Sequence, residues 1–185
     1  MALLCRFTQA SSSGLNYPIK DGDTIAFLGD SITAGGENHG GYCRLVMHGL
    51  RTKGIHVKGI FAGVPGEKSP DMLLRLNGIL RRKPEHLFLL AGVNDVWMTD
   101  PTAKIGVFKP SPGMGTELEH YKIYISEILD RCKSAGVKVI MSTCTPIMED
   151  REYRLNKKAV GYNAFLRSQA KERVLPIARL NQAFF

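Results

Sequence analysis

The sequence predicts one α/β domain, with a five-stranded parallel sheet between layers of helices. Strand-like apolar segments alternate with amphipathic helical patterns in the order β-α-β-α-β-α-β-α-β, which is typical of parallel strands joined by right-handed crossovers. The third segment, Leu87 to Ala91, is apolar, which indicates a strand buried on both faces. A length of 185 residues suits one domain with a sizeable core.

The composition disfavours several classes of protein. Apolar residues make up 44% of the chain and charged residues 23%, as in ordinary globular proteins. No apolar run approaches the roughly 20 residues of a membrane-spanning helix. The net charge is +8, but the basic residues form only short runs without interleaved aromatic residues. This pattern favours a solvated basic surface over a nucleic-acid site.

Residues 1–22 are predicted to be an N-terminal arm, and residues 23–185 to form the domain. The apolar start of the chain is short and precedes Arg6, whereas a secretory signal has a longer apolar core after its basic residues. The four cysteines form no CxxC pair, so their spacing predicts neither a zinc site nor a redox motif. Free thiols are the simpler interpretation, although the positions alone leave a disulfide open. We therefore expect a cytoplasmic protein without a cofactor.

The first half of the chain carries two helices between its strands. The first strand, residues 25–28, runs into Gly-Asp-Ser and a glycine-bearing loop. The first helix has its apolar face at residues 42–50 and ends at Gly54, which suits a left-handed C-terminal cap. After a strand at residues 57–62, Ser69 is expected to cap the second helix, with Pro70 at its first position.

The second half carries a long loop and two further helices. Residues 98–115 contain prolines and glycines without a clear period, and long loops in compact domains are often functional. Thr116 and Glu119 form a predicted capping box for a helix that ends at Gly136. A strand at residues 137–143, a polar stretch, a helix around residues 160–166 and a strand at residues 174–180 complete the pattern.

Small and polar residues follow the ends of the first three strands, as Gly29-Asp30-Ser31, Gly63-Val64-Pro65-Gly66 and Gly92-Val93-Asn94-Asp95. The carboxyl ends of parallel strands form the ligand-binding edge of an open sheet. A serine that attacks an acyl carbon creates an oxyanion, which needs preorganised hydrogen-bond donors. The backbone amides of Ser31 and Gly66 and the side-chain amide of Asn94 are the candidate donors.

Each of these residues also has an ordinary structural interpretation. Ser31 could cap the helix that follows it, Gly66 could be a turn residue, and Asn94 could form an Asx turn or a cap. Taken singly, each residue favours the structural role. Their combination at three neighbouring strand ends favours a serine hydrolase site.

The three blocks resemble those of the SGNH hydrolases, also called GDSL esterases and lipases, and the resemblance extends from Asp23 over nearly the whole chain. It implies a flavodoxin-like three-layer α/β/α sandwich that hydrolyses carboxylic esters through an acyl-enzyme. Ser31 would be the nucleophile, and its amide, Gly66 and Asn94 would form the oxyanion hole. Asp30 and Asp95 would support the loops by hydrogen bonds. The substrate would be a small ester, a carbohydrate acetyl ester, a lipid or a thioester, selected by the loop at residues 98–115.

The chain departs from this family because it lacks the fourth block, an Asp-x-x-His near the C-terminus. No histidine follows the fifth strand, and only His39, just after the nucleophile block, is considered as a substitute base. Serine is a weak nucleophile without a base, so the activity of this chain is doubtful. The closing helix is missing from the pattern as well, and we expect a C-terminally incomplete domain.

An incomplete domain would expose apolar side chains of the first and fifth strands, together with Phe184 and Phe185. We therefore expect a homo-oligomer, or a partner that covers this side of the sheet. The alternative function is a non-catalytic binding relic that recognises an anionic ligand or a protein partner. A nucleotide-binding protein is disfavoured, since neither GxGxxG nor a Walker sequence follows the first strand.

Overall fold

The computed structural model describes residues 19–104 and 107–184. Its strands are β1 Thr24–Gly29, β2 Lys58–Gly63, β3 His86–Leu90, β4 Lys138–Ser142 and β5 Ile177–Ala178. All neighbouring strands pair in parallel, in the order β2-β1-β3-β4-β5, which is the order of flavodoxin-like folds. The predicted fold class is therefore confirmed. Most of the predicted N-terminal arm lies outside the described residues.

The helices are α1 Ser31–Gly36, α2 Tyr42–Arg51, α3 Ser69–Leu80, α4 Val93–Trp97, α5 Leu118–Ser134, α6 Arg154–Glu172 and α7 Leu180–Ala183. Residues of α3, α5 and α6 join the main core on one face of the sheet, whereas α2 packs on the opposite face. None of the helices in the described part of the chain is long and apolar enough to cross a membrane.

The first strand explains why the sequence pattern predicts a buried sheet. Ala26 and Leu28 point into the main core, and Ile25 and Phe27 point into the smaller core beneath α2. Burial of each large apolar side chain contributes about 2 kcal/mol. An uninterrupted apolar run is therefore required, because both faces of β1 are covered.

The expected exposure of the first strand is wrong, because α2 covers it and leaves Ile25 and Phe27 each 1% exposed. The half-buried residues of this face lie further across the sheet, where Phe88 of β3 pairs with Ile140 of β4. Both residues of β5 are also half-buried, and Phe184 is exposed. Phe185 lies outside the described residues.

Two predicted helix caps are wrong. The N-cap of α3 is Lys68, and Ser69 is already helical. The N-cap of α5 is Glu117, whose side chain makes no capping bond. The reason is the same in both cases. The Ser69 hydroxyl and the Thr116 side chain, which the sequence pattern predicts as helix caps, both hydrogen-bond to the buried carboxylate of Asp95.

Other element boundaries differ where the sequence pattern is weak. Residues 31–36 form the short helix α1 and not only a loop. Helix α6 begins inside the polar stretch, because Leu155 already packs into the main core. Strand β5 keeps only two of the seven predicted residues, with Pro176 next to it and unable to donate a backbone hydrogen bond. Among the described cysteines, Cys43, Cys132 and Cys144 are free and buried.

Candidate active site

The first three strand ends lie side by side, as the topology requires. Gly29 pairs with Gly63 across β1 and β2, and with Leu90 across β1 and β3. Beyond the last pair, the Val64 amide donates to the Gly29 carbonyl at 3.0 Å. The loops that carry Ser31, Gly66 and Asn94 therefore leave the same edge of the sheet.

Ser31 is the first residue of α1, and its side chain is exposed. The N-cap of this helix is Asp30, whose carboxylate accepts a hydrogen bond from the Ile32 amide at 2.9 Å. Neither the hydroxyl nor the amide of Ser31 has a hydrogen-bond partner among the described residues. The hydroxyl is thus accessible to a ligand, and the capping role belongs to Asp30.

Gly66 lies in the exposed turn between β2 and α3 with φ +82°. This left-handed conformation favours glycine. A Cβ atom here would meet no other atom within 4 Å, so glycine is required by the backbone conformation and not by crowding. Within residues 19–104 and 107–184 the Gly66 amide finds no acceptor, which leaves it free for a ligand.

Asn94 is buried in α4 and bridges to the neighbouring loop. Its side-chain nitrogen donates to the Glu67 carbonyl at 2.9 Å, so it forms a contact between loops and not a local Asx turn. A side-chain amide carries two N–H donors. One is held by Glu67, and the second has no acceptor in the described part of the chain.

Asp95, which follows Asn94 in the third block, is hydrogen-bonded to Ser69 at the end of the loop that carries Gly66. Its carboxylate accepts the Ser69 hydroxyl at 2.6 Å and the Ser69 amide at 3.0 and 3.1 Å. Burial raises the pKa of Asp95, and the hydrogen bonds from Ser69 oppose that rise. The side chain therefore fixes the start of α3, and with it the loop that carries Gly66.

Asp30 is fully buried, and its second carboxylate oxygen has no partner among the described residues. Burial raises the pKa of Asp30 from 3.8 to about 6; the hydrogen bond from the Ile32 amide opposes this, and the Asp95 charge adds to it. Ionised Asp30 is thus costly to the folded state near neutral pH.

Replacing Asp30 with asparagine should therefore change how stability depends on pH. Between pH 4 and 6 the folded wild type binds more protons at Asp30 than the unfolded chain does, so its stability falls as pH rises. The substituted side chain keeps a cap oxygen but cannot ionise. We expect the difference in unfolding free energy, D30N minus wild type, to increase by up to about 3 kcal/mol between pH 4 and pH 7. Urea unfolding at each pH measures it. A difference that is constant with pH would contradict the raised pKa.

All five histidines lie in the described residues, and none is hydrogen-bonded to Ser31. His39 is exposed in the turn after α1. His48 is exposed on α2, and His56 and His86 pair with Asp21 and Asp23 at the amino-terminal edge of the sheet. His120 is exposed on the first turn of α5. The sequence pattern does not mark His120 as a candidate base.

His120 lines a surface cavity of about 450 Å³. The cavity is bounded by the starts of α3 and α5 and by the end of the long loop, with Lys68, Thr99, Met114, Thr116 and Tyr124 among its lining residues. It adjoins the strand-end loops, because the Thr116 amide donates to the Asp95 carbonyl at 3.1 Å. Tyr124 and Met114 offer apolar surface, and Thr99 and His120 offer polar groups. Nothing in the spacing of these residues signalled a shared cavity.

Two contacts connect the long loop, residues 98–115, to the rest of the domain. The ring centres of Trp97 and Phe108 lie 5.3 Å apart, and Asp100 forms an ion pair with Arg154 at the start of α6. Residues 105–106 of this loop lie outside the described residues. Among the described side chains, no group of three or more histidines, cysteines or carboxylates is arranged to hold a metal ion.

Residues 27–185 match the model of the GDSL-like lipase/acylhydrolase family. No curated protein matches the chain. The acetyl xylan esterase AlAXEase has a similar structure, with 27% identity, a TM-score of 0.76, and coverage of 87% of this chain and 79% of that one. The acetylxylan esterase Axe2 from Geobacillus stearothermophilus aligns with 20% identity and a TM-score of 0.77, over 90% of this chain and 80% of its own. Solved catalytic mutants of Axe2 replace a serine, an aspartate or a histidine with alanine.

Proposed function

Because the chain belongs to the GDSL-like lipase/acylhydrolase family, we propose that Ser31 is the nucleophile of a carboxylic ester hydrolase. One observation carries the proposal. The Ser31 hydroxyl is exposed and unbonded at a sheet edge where the Ser31 amide, the Gly66 amide and one Asn94 N–H also lack acceptors among the described residues. Unpaired donors near a hydroxyl are what an oxyanion needs.

The reaction proceeds in two steps. The Ser31 oxygen bonds to the acyl carbon, and the carbonyl electron pair moves to oxygen, where the three N–H groups stabilise the negative charge. The intermediate then expels the alcohol, which takes up the serine proton, and leaves an acyl-enzyme. Water attacks this ester in the same way, releases the carboxylic acid and restores the hydroxyl. Asp30 and Asp95 act only as supports, through the α1 cap and the start of α3.

The proton transfers lack an evident base, since none of the five histidines hydrogen-bonds to Ser31. Without a base, both acylation and deacylation slow down. An oxyanion hole alone retains about 10³–10⁴ of rate over water. We propose that the chain by itself acylates slowly. With p-nitrophenyl acetate, whose nitrophenolate leaves without taking up a proton, the acyl-enzyme accumulates because the attack of water is not assisted by a base.

Acetyl esters of carbohydrates are the proposed substrates. AlAXEase and Axe2 are acetyl xylan esterases, and the cavity of about 450 Å³ beside the site could hold the alcohol part. Its mixture of Tyr124, Thr99 and His120 combines an aromatic surface with hydrogen-bonding groups. Such a lining suits a sugar better than a long acyl chain.

The test is to trap the acyl-enzyme. Wild type and S31A are incubated with p-nitrophenyl acetate, quenched in acid and digested, and the peptide containing residue 31 is examined by mass spectrometry. We expect an acetyl group on Ser31 in wild type and none on this peptide in S31A. H39A and H120A test whether either histidine assists, and H48A is the matched control on an exposed helix. An unmodified Ser31 in wild type would refute the assignment of the nucleophile.

The missing base favours a second candidate, a non-catalytic site that binds a carboxylate at the same donors. Acetate added to ¹⁵N-labelled protein would then shift the Ser31 and Gly66 amide signals, with no acetylation of Ser31 by the ester. Acetylation of Ser31 in the trapping experiment would instead support the hydrolase.

A further inference from the structure

Arg75 reaches back from the middle of α3 to the sheet edge. Its Nε lies 2.8 Å from both carboxylate oxygens of Glu67, and one terminal nitrogen lies 2.6 Å from the second of them. The same terminal nitrogen donates to the Ala62 carbonyl at 2.8 Å and to the Gly29 carbonyl at 3.3 Å. One guanidinium therefore connects the ends of β1 and β2 with the loop that follows β2.

These contacts are those of a specific arrangement and not of a loose surface ion pair. The side chains of Arg75 and Glu67 are only 26% and 14% exposed. A planar guanidinium has several N–H donors in fixed directions, which suits a carboxylate and two carbonyls at once. An exposed ion pair would be screened by water and contribute little.

Glu67 passes this restraint to two of the proposed oxyanion donors. It directly follows Gly66, and its carbonyl accepts the Asn94 side chain at 2.9 Å. Its amide donates to the Val64 carbonyl at 3.3 Å. Glu67 is thus held through its side chain, its amide and its carbonyl, and it restrains the adjoining Gly66. The Glu67 carbonyl also orients the Asn94 side chain.

We propose that Arg75 is a positioning residue, which acts through Glu67 to hold the Gly66 amide and the Asn94 side chain in place beside Ser31. Gly66 needs such a restraint, because glycine is conformationally free and its neighbouring space is open. The contact to the Gly29 carbonyl ties the clamp to the strand that leads into Ser31. The inference rests on the proposed function for the role of the donors, but the clamp itself can be measured without turnover.

The test compares R75M, R75K and E67Q with wild type. Lysine keeps the positive charge but lacks the planar arrangement of N–H donors that a guanidinium has. We therefore expect R75K to lose the contacts to Glu67 and to the strand-end carbonyls nearly as completely as R75M. The matched control is R131M, which removes the 2.7 Å Arg131–Glu127 ion pair on α5. Both arginine-to-methionine changes delete a helix-borne guanidinium paired to a glutamate, and only one of them reaches the strand ends.

The first measurement is hydrogen exchange of the Asn94 side-chain amide by NMR in the free protein. We expect exchange to speed up at least about tenfold in R75M and R75K relative to wild type and R131M, because loss of the clamp frees the Glu67 carbonyl. An exchange rate of the Asn94 side-chain amide in R75M equal to that in R131M would refute the proposed positioning role of Arg75. If R75M fails to fold, R75K and E67Q carry the same comparison.

The second measurement is the rate of Ser31 acetylation at saturating p-nitrophenyl acetate. We expect a loss of about 10²-fold in R75M, with little change in the half-saturating ester concentration, since oxyanion donors act on the transition state. A purely structural role would instead lower thermal stability and leave the rate of the folded fraction unchanged. If wild type is not acetylated at all, the proposed function fails, whereas the exchange measurement still decides the clamp.

Discussion

Supplying a histidine base is expected to raise the esterase activity of this chain by at least about 10³-fold in kcat/KM. In another serine hydrolase, loss of the histidine costs about 10⁶ in turnover, so a correctly placed base recovers part of that loss. The segment of Axe2 that holds its catalytic aspartate and histidine would replace the residues after Ala178, at the end of β5. The similarity of the two folds, with a TM-score of 0.77, makes the graft geometrically reasonable.

Three variants make this experiment decisive. S31A within the chimera should return activity to that of the unmodified chain, because serine and histidine act as a unit and their effects are not additive. Replacing the grafted histidine with alanine should do the same and controls for any effect of the new segment on folding. A chimera that folds but hydrolyses p-nitrophenyl acetate no faster than the unmodified chain would contradict the assignment of Ser31.

Replacing Gly63 with alanine is expected to destabilise the domain by about 3 kcal/mol or more and to abolish acetylation of Ser31. A Cβ atom at Gly63 would lie 2.1 Å from the Ala34 nitrogen and 2.5 Å from the Thr33 carbonyl carbon. Both are backbone atoms of α1, so no side chain can rotate to relieve the clash. The end of β2 and α1 must move apart, which separates Ser31 from Gly66.

Gly35 provides the matched control, because it lies in α1 and a Cβ atom there would meet nothing within 4 Å. G35A should leave stability unchanged or raise it by up to about 1 kcal/mol, since alanine is the better helix former. Urea unfolding and the trapping experiment, run on both variants, give the comparison. A G63A protein as stable as G35A would mean that α1 does not pack closely on β2.

The sequence places the three candidate site residues at one sheet edge for a simple reason. Apolar runs mark the strands, and parallel topology brings their carboxyl ends together, whatever the side chains beyond them do. Ser31, Gly66 and Asn94 therefore follow neighbouring strands as predicted. Their roles in catalysis stay predictions, which the trapping and chimera experiments address.

The local roles of polar residues were predicted less well. Ser69 and Thr116 have the pattern of helix caps, but both hydrogen-bond to Asp95. Ser31 has the position of a cap, yet Asp30 takes that role. A local pattern predicts the bond that a residue makes when nothing else competes for it, and here a buried carboxylate competes.

The sequence by itself determined the α/β class, the parallel sheet and the strand ends that carry the site, because hydrophobic periodicity and chain order decide these features. It also shows that residues 1–185 contain no Asp-x-x-His. Only the tertiary structure decided how the strand-end loops are held, which is through the Asp95 network and the contacts of Arg75. It also decided which face of the sheet is left half-buried, namely that of Phe88. Arg75 meets Gly29 across 46 positions of sequence, and such a contact depends on how α3 packs against the sheet, which no local pattern records.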